Sequence, residues 1–106
     1  MQGPFAERER GYEAKWAHDE EIHFKVLARR NNLLGHWAAE TLGLQDTTAD
    51  EYAMAVVHAG LAGKSADPVF EKIQNDFHAG GINLSARAIH QTMEELFHVA
   101  SLEVAG

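Results

Sequence analysis

The sequence predicts an all-α fold, a small four-helix bundle with a long first helix whose N-terminal part is frayed or projecting. Three observations predict it. The stretch from Phe5 to Trp37 contains no proline and only two glycines. Downstream, apolar residues recur three and four apart, the spacing of a helix buried on one face. Cap and stop signals fall between the apolar runs, and no segment shows the alternation of a strand.

The first helix reads from Phe5 to about Leu42, with Gly43 as its C-terminal stop. Its two halves are chemically unlike. Phe5 to Glu21 is mostly charge, carrying three large rings at Phe5, Tyr12 and Trp16, whereas from Ile22 onward the chain is broadly apolar. One half cannot build a core and the other must. The division predicts a partner-binding arm over residues 1–21 and a four-helix body over residues 22–106. Thr48-Ala-Asp-Glu51 has capping-box spacing and predicts the start of the second helix. There Tyr52, Val56 and Ala59 share a face, with Met54, Val57 and Leu61 beside them, and Gly60 and Gly63 loosen the end. Asp67-Pro68 reads as an N-cap followed by proline at the first helical position. Val69, Phe70, Ile73 and Phe77 give the third helix its apolar stripe, and Ala79-Gly80-Gly81 ends it. Ser85 caps the fourth helix, where Ile89, Met93, Leu96 and Ala100 mark the buried face. The short connections predict antiparallel neighbours.

At 106 residues the chain is one domain by length. A formal net charge of −7 argues against nonspecific binding to nucleic acid or to anionic membranes. No apolar run is long enough to insert into a bilayer, and the first residues carry no secretory-signal pattern. The absence of cysteine excludes disulfides, thiolate catalysis and thiolate-bound zinc, and fits a reducing cytoplasm.

Within the arm, Glu7 with Arg10 and Arg10 with Glu13 sit three apart. Such pairs contribute only about 0.2–0.5 kcal/mol each, while Gly11 costs roughly 1 kcal/mol against alanine. The arm therefore reads as a marginal helix. Phe5, Tyr12 and Trp16 fall at i, i+7 and i+11, on one side. Either these rings fold back as ordinary core or they face a partner's hydrophobic groove, and the surrounding charge favours the groove.

Here the residues resemble a known family. Arg8-Glu9-Arg10, Glu13, Lys15, Ala17-His18-Asp19, Phe24-Lys25, Ala28-Arg29-Arg30-Asn31, Leu33-Leu34-Gly35 and Trp37-Ala38-Ala39 look like the zeta subunit of alphaproteobacterial F-type ATP synthases, an ATPase inhibitor. The resemblance continues through Val69-Phe70, Lys72, Asp76-Phe77, Ala79, Ile89, Met93 and Glu95-Leu96, and so spans nearly the whole chain. It implies a four-helix bundle with an inhibitory N-terminal segment. That segment would enter an interface between catalytic and noncatalytic subunits of the synthase head, reach the rotor and block rotation in the ATP-hydrolysis direction. The implied partner-binding residues are Phe5, Arg8, Glu9, Arg10, Tyr12, Glu13, Lys15, Trp16, His18 and Asp19. Phe5, Tyr12 and Trp16 would be apolar anchors, and Arg8, Glu9, Arg10, Glu13 and Lys15 would orient the arm. The implied location is cytoplasmic, peripheral to the inner membrane through the synthase. No cofactor and no bond chemistry are implied. The chain departs from the family at Gly11, where alanine is frequent, at Pro4 before the match, and at Tyr12 and Trp16, which replace phenylalanines.

Seven histidines is a high count. His90, Glu94 and His98 at i, i+4 and i+8 resemble a metal-ligand ladder. Glu20 with His23 and Glu95 with His98 have the Glu-x-x-His spacing of di-iron bundles. Chance placement of eleven glutamates and seven histidines accounts for such pairs, and no metal is expected. His18, where arm meets body, is either the residue whose titration would tune inhibition or a side chain that caps or packs locally; the second reading is favoured. Arg29-Arg30-Asn31-Asn32 reads either as a docking or anion patch, or as two arginines paired with acids on neighbouring helices beside a buried Asn31 that fixes register; the second reading is favoured. Gly60-x-x-Gly63-Lys64-Ser65 has two residues between its glycines rather than the four of a phosphate loop. Two other functions remain open at this level. One is a histidine-rich bundle binding a metal or small molecule, including a nucleotide. The other is a synthase-associated family member that does not inhibit.

Overall fold

The computed structural model describes the backbone of residues 4–62 and 65–105 and the side chains of residues 19–62 and 65–105. It contains four helices: α1 (Pro4–Thr41), α2 (Asp46–Ala62), α3 (Pro68–Ala79) and α4 (Ala86–Ala105). No strand occurs among the described residues, so the all-α four-helix expectation holds.

At 1.5 Å per residue, the 38 residues of α1 run about 57 Å, against about 30 Å for the 20 residues of α4. The bundle can therefore flank only part of α1. The molecule is accordingly elongated, 66 Å along its longest axis. Its radius of gyration is 17.8 Å, where a compact chain of this size has about 13 Å.

Both α1 and α3 end in the same way. Gly43 (φ +80°) donates to the Glu40 carbonyl and Leu44 donates to the Ala39 carbonyl. Gly81 (φ +73°) donates to His78 and Ile82 to Phe77. These are Schellman caps, and they need a residue that adopts positive φ without strain. Ile82 then packs back on the core that contains Phe77. At the start of α3, Asp67 Oδ1 accepts from the Phe70 amide at 3.3 Å, with Pro68 at the first position. Ser85 Oγ accepts from the Ala88 amide at 3.1 Å and caps α4.

The start of α2 corrects the sequence expectation. The helix begins at Asp46, and Thr48 lies inside its first turn instead of capping it. Asp46 takes φ +54°, a conformation that aspartate tolerates better than most side chains. This lets the chain turn into the helix directly after the α1 cap, and the Asp46 carboxylate sits in the first turn, where the helix dipole favours it.

The core is a single cluster of Leu34, Ala38, Val56, Val69, Ile73, Phe77, Ile89 and Met93. Trp37 meets Phe77 edge-on at 5.5 Å. Val26 and Ala100 are buried toward one end. Each large side chain fully buried here contributes about 1.5–3 kcal/mol. Two glycines set how closely helices approach. A Cβ on Gly35 would stand 2.6 Å from the Ala53 Cα, and one on Gly60 would stand 2.4 Å from Asn31 Nδ2. These contacts join position 35 to 53 and 31 to 60, so α1 and α2 run antiparallel. A polar clamp ties α2 to α3. Tyr52 Oη donates to Asp76 Oδ2 at 2.8 Å, Lys72 Nζ donates to the same oxygen at 3.1 Å, and the ammonium lies 5.1 Å from the Tyr52 ring centroid.

Candidate partner-binding site

The backbone of α1 carries positions 5 to 19 in one continuous helix. The side chains of Phe5, Arg8, Glu9, Arg10, Tyr12, Glu13, Lys15, Trp16 and His18 lie outside the described residues. Asp19 is exposed, as are Glu20 and Glu21. Glu21 pairs with Lys25 at 3.2 Å, one helical turn on and open to solvent, a pair worth a few tenths of a kcal/mol. Along the described part of α1, Ile22 is half-buried and Val26 is the first buried side chain.

Where α1 leaves the bundle the structure presents a groove. Phe24, Leu27 and Ala28 line one side, Val57, Gly60 and Leu61 the other, and Pro68 with Val69 close it, enclosing about 430 Å³. Phe24 is 56% exposed and Leu61 is 61% exposed, so two large apolar side chains rim it. Arg30, Asn31 and Asp67 supply the polar lining. Sequence reading missed this groove. It placed Leu61 beside the buried face of α2, although Met54, Val57 and Leu61 at i, i+3 and i+7 form a stripe of their own.

The Arg29–Asn32 run resolves into separate roles. Arg29 pairs with Glu103 of α4, and the hydrogen bond that its Nε donates to that carboxylate holds its guanidinium above the ordinary range while burial works weakly against it. Asn31 is 6% exposed and accepts from Arg30 Nε at 2.8 Å. Arg30 departs from expectation. Among the described residues no carboxylate lies within salt-bridge distance of it. Burial pushes its guanidinium below the usual value, with Asp67 opposing through its field.

The histidine ladder does not converge. His90 stacks on Phe70 with ring centroids 4.0 Å apart and an interplanar angle of 12°. Its Nε2 stands 3.5 Å from Asp67 Oδ2. Glu94 and His98 are exposed on α4. His23 meets Phe97 edge-on at 6.4 Å. Among the described residues no group of three His, Asp or Glu side chains is placed to hold a metal ion. Gly63 and Lys64 of the glycine–lysine segment lie outside the described residues.

None of the described helices is long and apolar enough to cross a membrane. No match was found among curated proteins. The family described as ATPase inhibitor subunit zeta matches residues 1–103. That match runs through the long α1, the core stripes of α2 to α4 and the caps between them, and the chain belongs to the ATPase inhibitor subunit zeta family.

Proposed function

We propose that this protein inhibits the ATP synthase catalytic head by inserting its N-terminal helix at an interface between catalytic and noncatalytic subunits. The helix reaches the rotor and stops it turning in the hydrolytic direction. The observation that carries the reading is the length of α1. It has 38 residues where its neighbours have 12 to 20, and its first described buried residue is Val26. Membership of an ATPase inhibitor family supports it.

In this reading residues 1–21 are the arm and residues 22–106 the body. Phe5, Tyr12 and Trp16 are the anchors. Each aromatic ring of this kind buries about 150–250 Å² on docking, enough to offset the ordering of a marginal helix. Arg8, Glu9, Arg10, Glu13 and Lys15 fix orientation, and His18 and Asp19 sit where arm meets body. The protein works at the cytoplasmic face of the inner membrane, held there by the synthase. It acts as a wedge, and no residue performs bond chemistry.

The test is ATP hydrolysis by the cognate head, freed of its own inhibitor, with the full chain and with residues 2–19 deleted. Among the described residues the buried core lies between Val26 and Ala100, and the deletion removes none of it. Inhibition by the full chain alone is expected. Trp16→Ala should weaken it about 30-fold, the effect of losing a buried aromatic anchor of about 2 kcal/mol. Equal inhibition by the deleted form, or none by the full chain, overturns the reading.

A further inference from the structure

The aromatic spacing of the arm does not stop at the arm. Phe5, Tyr12, Trp16, His23, Leu27, Leu34 and Ala38 are separated by seven, four, seven, four, seven and four residues. An eleven-residue repeat is 3.67 residues per turn, close enough to the helical period that these positions stay along one line of a straight helix. At the C-terminal end of that line, Leu34 and Ala38 are fully buried in the core. At Leu27 the line emerges half-buried into the groove, and at His23 it is exposed. The stripe that the bundle covers from Ala38 to Leu34 therefore runs out at the groove and continues into positions 16, 12 and 5.

Two further features mark that point of emergence. Phe24 and Leu61 rim the groove and expose more than half their area, an arrangement that loses free energy in water unless something covers it. Arg30 lines the same groove, half-buried, with no carboxylate at ion-pair distance among the described residues; Asp67, which lines the groove too, acts on it through its field and not by direct contact. A half-buried cation without a direct counter-ion is electrostatically incomplete, and a carboxylate delivered there would gain more than one at an open surface.

We propose that the groove formed by Phe24, Leu27, Val57 and Leu61, with Arg30 in its lining, is a second docking surface for the same protein partner that receives the N-terminal helix. It takes an apolar side chain flanked by a carboxylate. The proposal rests on the arm reading above and extends it from the arm onto the body. The continuous line of α1 makes the partner's apolar surface run from the arm directly to the groove, and Arg30 gives the contact a charge preference. The arm alone would leave the body free to swing. Engagement at Leu61 fixes the angle at which α1 enters.

The chain has no cysteine, so one introduced thiol labels one place. Three full-length variants, Trp16→Cys, Leu61→Cys and Thr47→Cys, carry a benzophenone and are irradiated with the cognate head. Thr47 is exposed at the far end of α2. The expected result is crosslinking to the head from positions 16 and 61 and not from 47. Leu61→Asp should raise the half-inhibitory concentration about ten-fold with an unchanged helical melting curve. Arg30→Gln should remove most of the salt dependence contributed by the groove. Crosslinking from 16 but not from 61, or from 61 only to another copy of the chain, overturns the proposal and leaves the arm reading standing. Absence of inhibition by the unsubstituted chain, together with absence of crosslinking from position 16, defeats the arm reading, and this proposal falls with it.

Discussion

Replacing Gly35 by alanine sets two effects of opposite sign against each other, and the structure decides between them. In an exposed helix interior Gly→Ala stabilises by about 1 kcal/mol. At position 35 the added Cβ would lie 2.6 Å from the Ala53 Cα and 3.1 Å from both its Cβ and its carbonyl oxygen. The nearest atom belongs to the backbone, so no rotamer change relieves the overlap. Carbon atoms rest about 3.5–4.0 Å apart, so α1 and α2 must separate by about 1 Å. A gap of that size forfeits a quarter to a half of each dispersion contact it opens, and Leu34, Ala38, Ala39, Ala53 and Val56 are all fully buried around it. Overpacking of this kind costs about 1–3 kcal/mol. With a backbone obstacle the upper end applies, and the propensity gain leaves a net loss of about 2 kcal/mol. For a domain of this size that lowers Tm by about 8–16 °C. The assay is thermal unfolding followed by circular dichroism at 222 nm. Gly43→Ala is the control, since nothing lies within 4 Å of it and only its positive φ opposes a side chain, at a cost of about 1 kcal/mol. A Gly35→Ala variant as stable as the native protein, or more so, would refute the close α1–α2 contact.

Two further outcomes follow from the polar contacts. Burial, with the Asp76 hydrogen bond and charge, raises the Tyr52 hydroxyl well above its ordinary pKa. The folded state holds this proton more tightly than the unfolded chain does. The contribution is therefore complete below about pH 10 and declines as the pH rises above it. The urea midpoint should fall as the pH rises above about 10, and Tyr52→Phe should flatten that fall while lowering stability at pH 7 by about 1 kcal/mol; equal slopes for both proteins would contradict the clamp. At the start of α3, Asp67→Ala should lower stability by about 1 kcal/mol, because Asp67 Oδ1 accepts from the Phe70 amide. Asp67→Asn should keep most of it in the same urea titration, and an alanine variant equal to the asparagine variant would show that the cap carries no weight.

The candidate site was legible only along α1. Aromatic spacing and charge make positions 5, 12 and 16 candidates, because a helical stripe is written in one segment; their side chains lie outside the described residues. The groove was not legible, because its two sides come from α1 and from α2 with α3. Leu61 looks like any apolar residue of an amphipathic helix until the path of α1 shows that nothing among the described residues covers it. Arg30 illustrates the same limit. Adjacent to Arg29 in sequence, it points elsewhere, since one residue along a helix turns a side chain by about 100°. Arg29 reaches Glu103, while among the described residues Arg30 bonds to Asn31. His90 looked like part of a ladder and instead stacks on Phe70, a partner that depends on how α3 and α4 meet.

By itself the sequence determined four helices, the stops at Gly43 and Gly81, the caps at Asp67 and Ser85, the buried stripes of α3 and α4, and the family. These are local signals. A cap needs an acceptor within three residues, a stop needs a residue tolerant of positive φ, and a stripe needs only the 3.6-residue period. The tertiary structure alone decided that α2 starts at Asp46, where the tight exit from α1 overrides a capping box two residues later. It also decided that Gly60, which reads as a helix loosener, is the space Asn31 occupies, and that Gly35 is where α1 and α2 touch. A missing Cβ has no local signature of its purpose. Whether it loosens a helix or admits a neighbour depends on which surface another segment brings against it, and that is settled only when the helices pack.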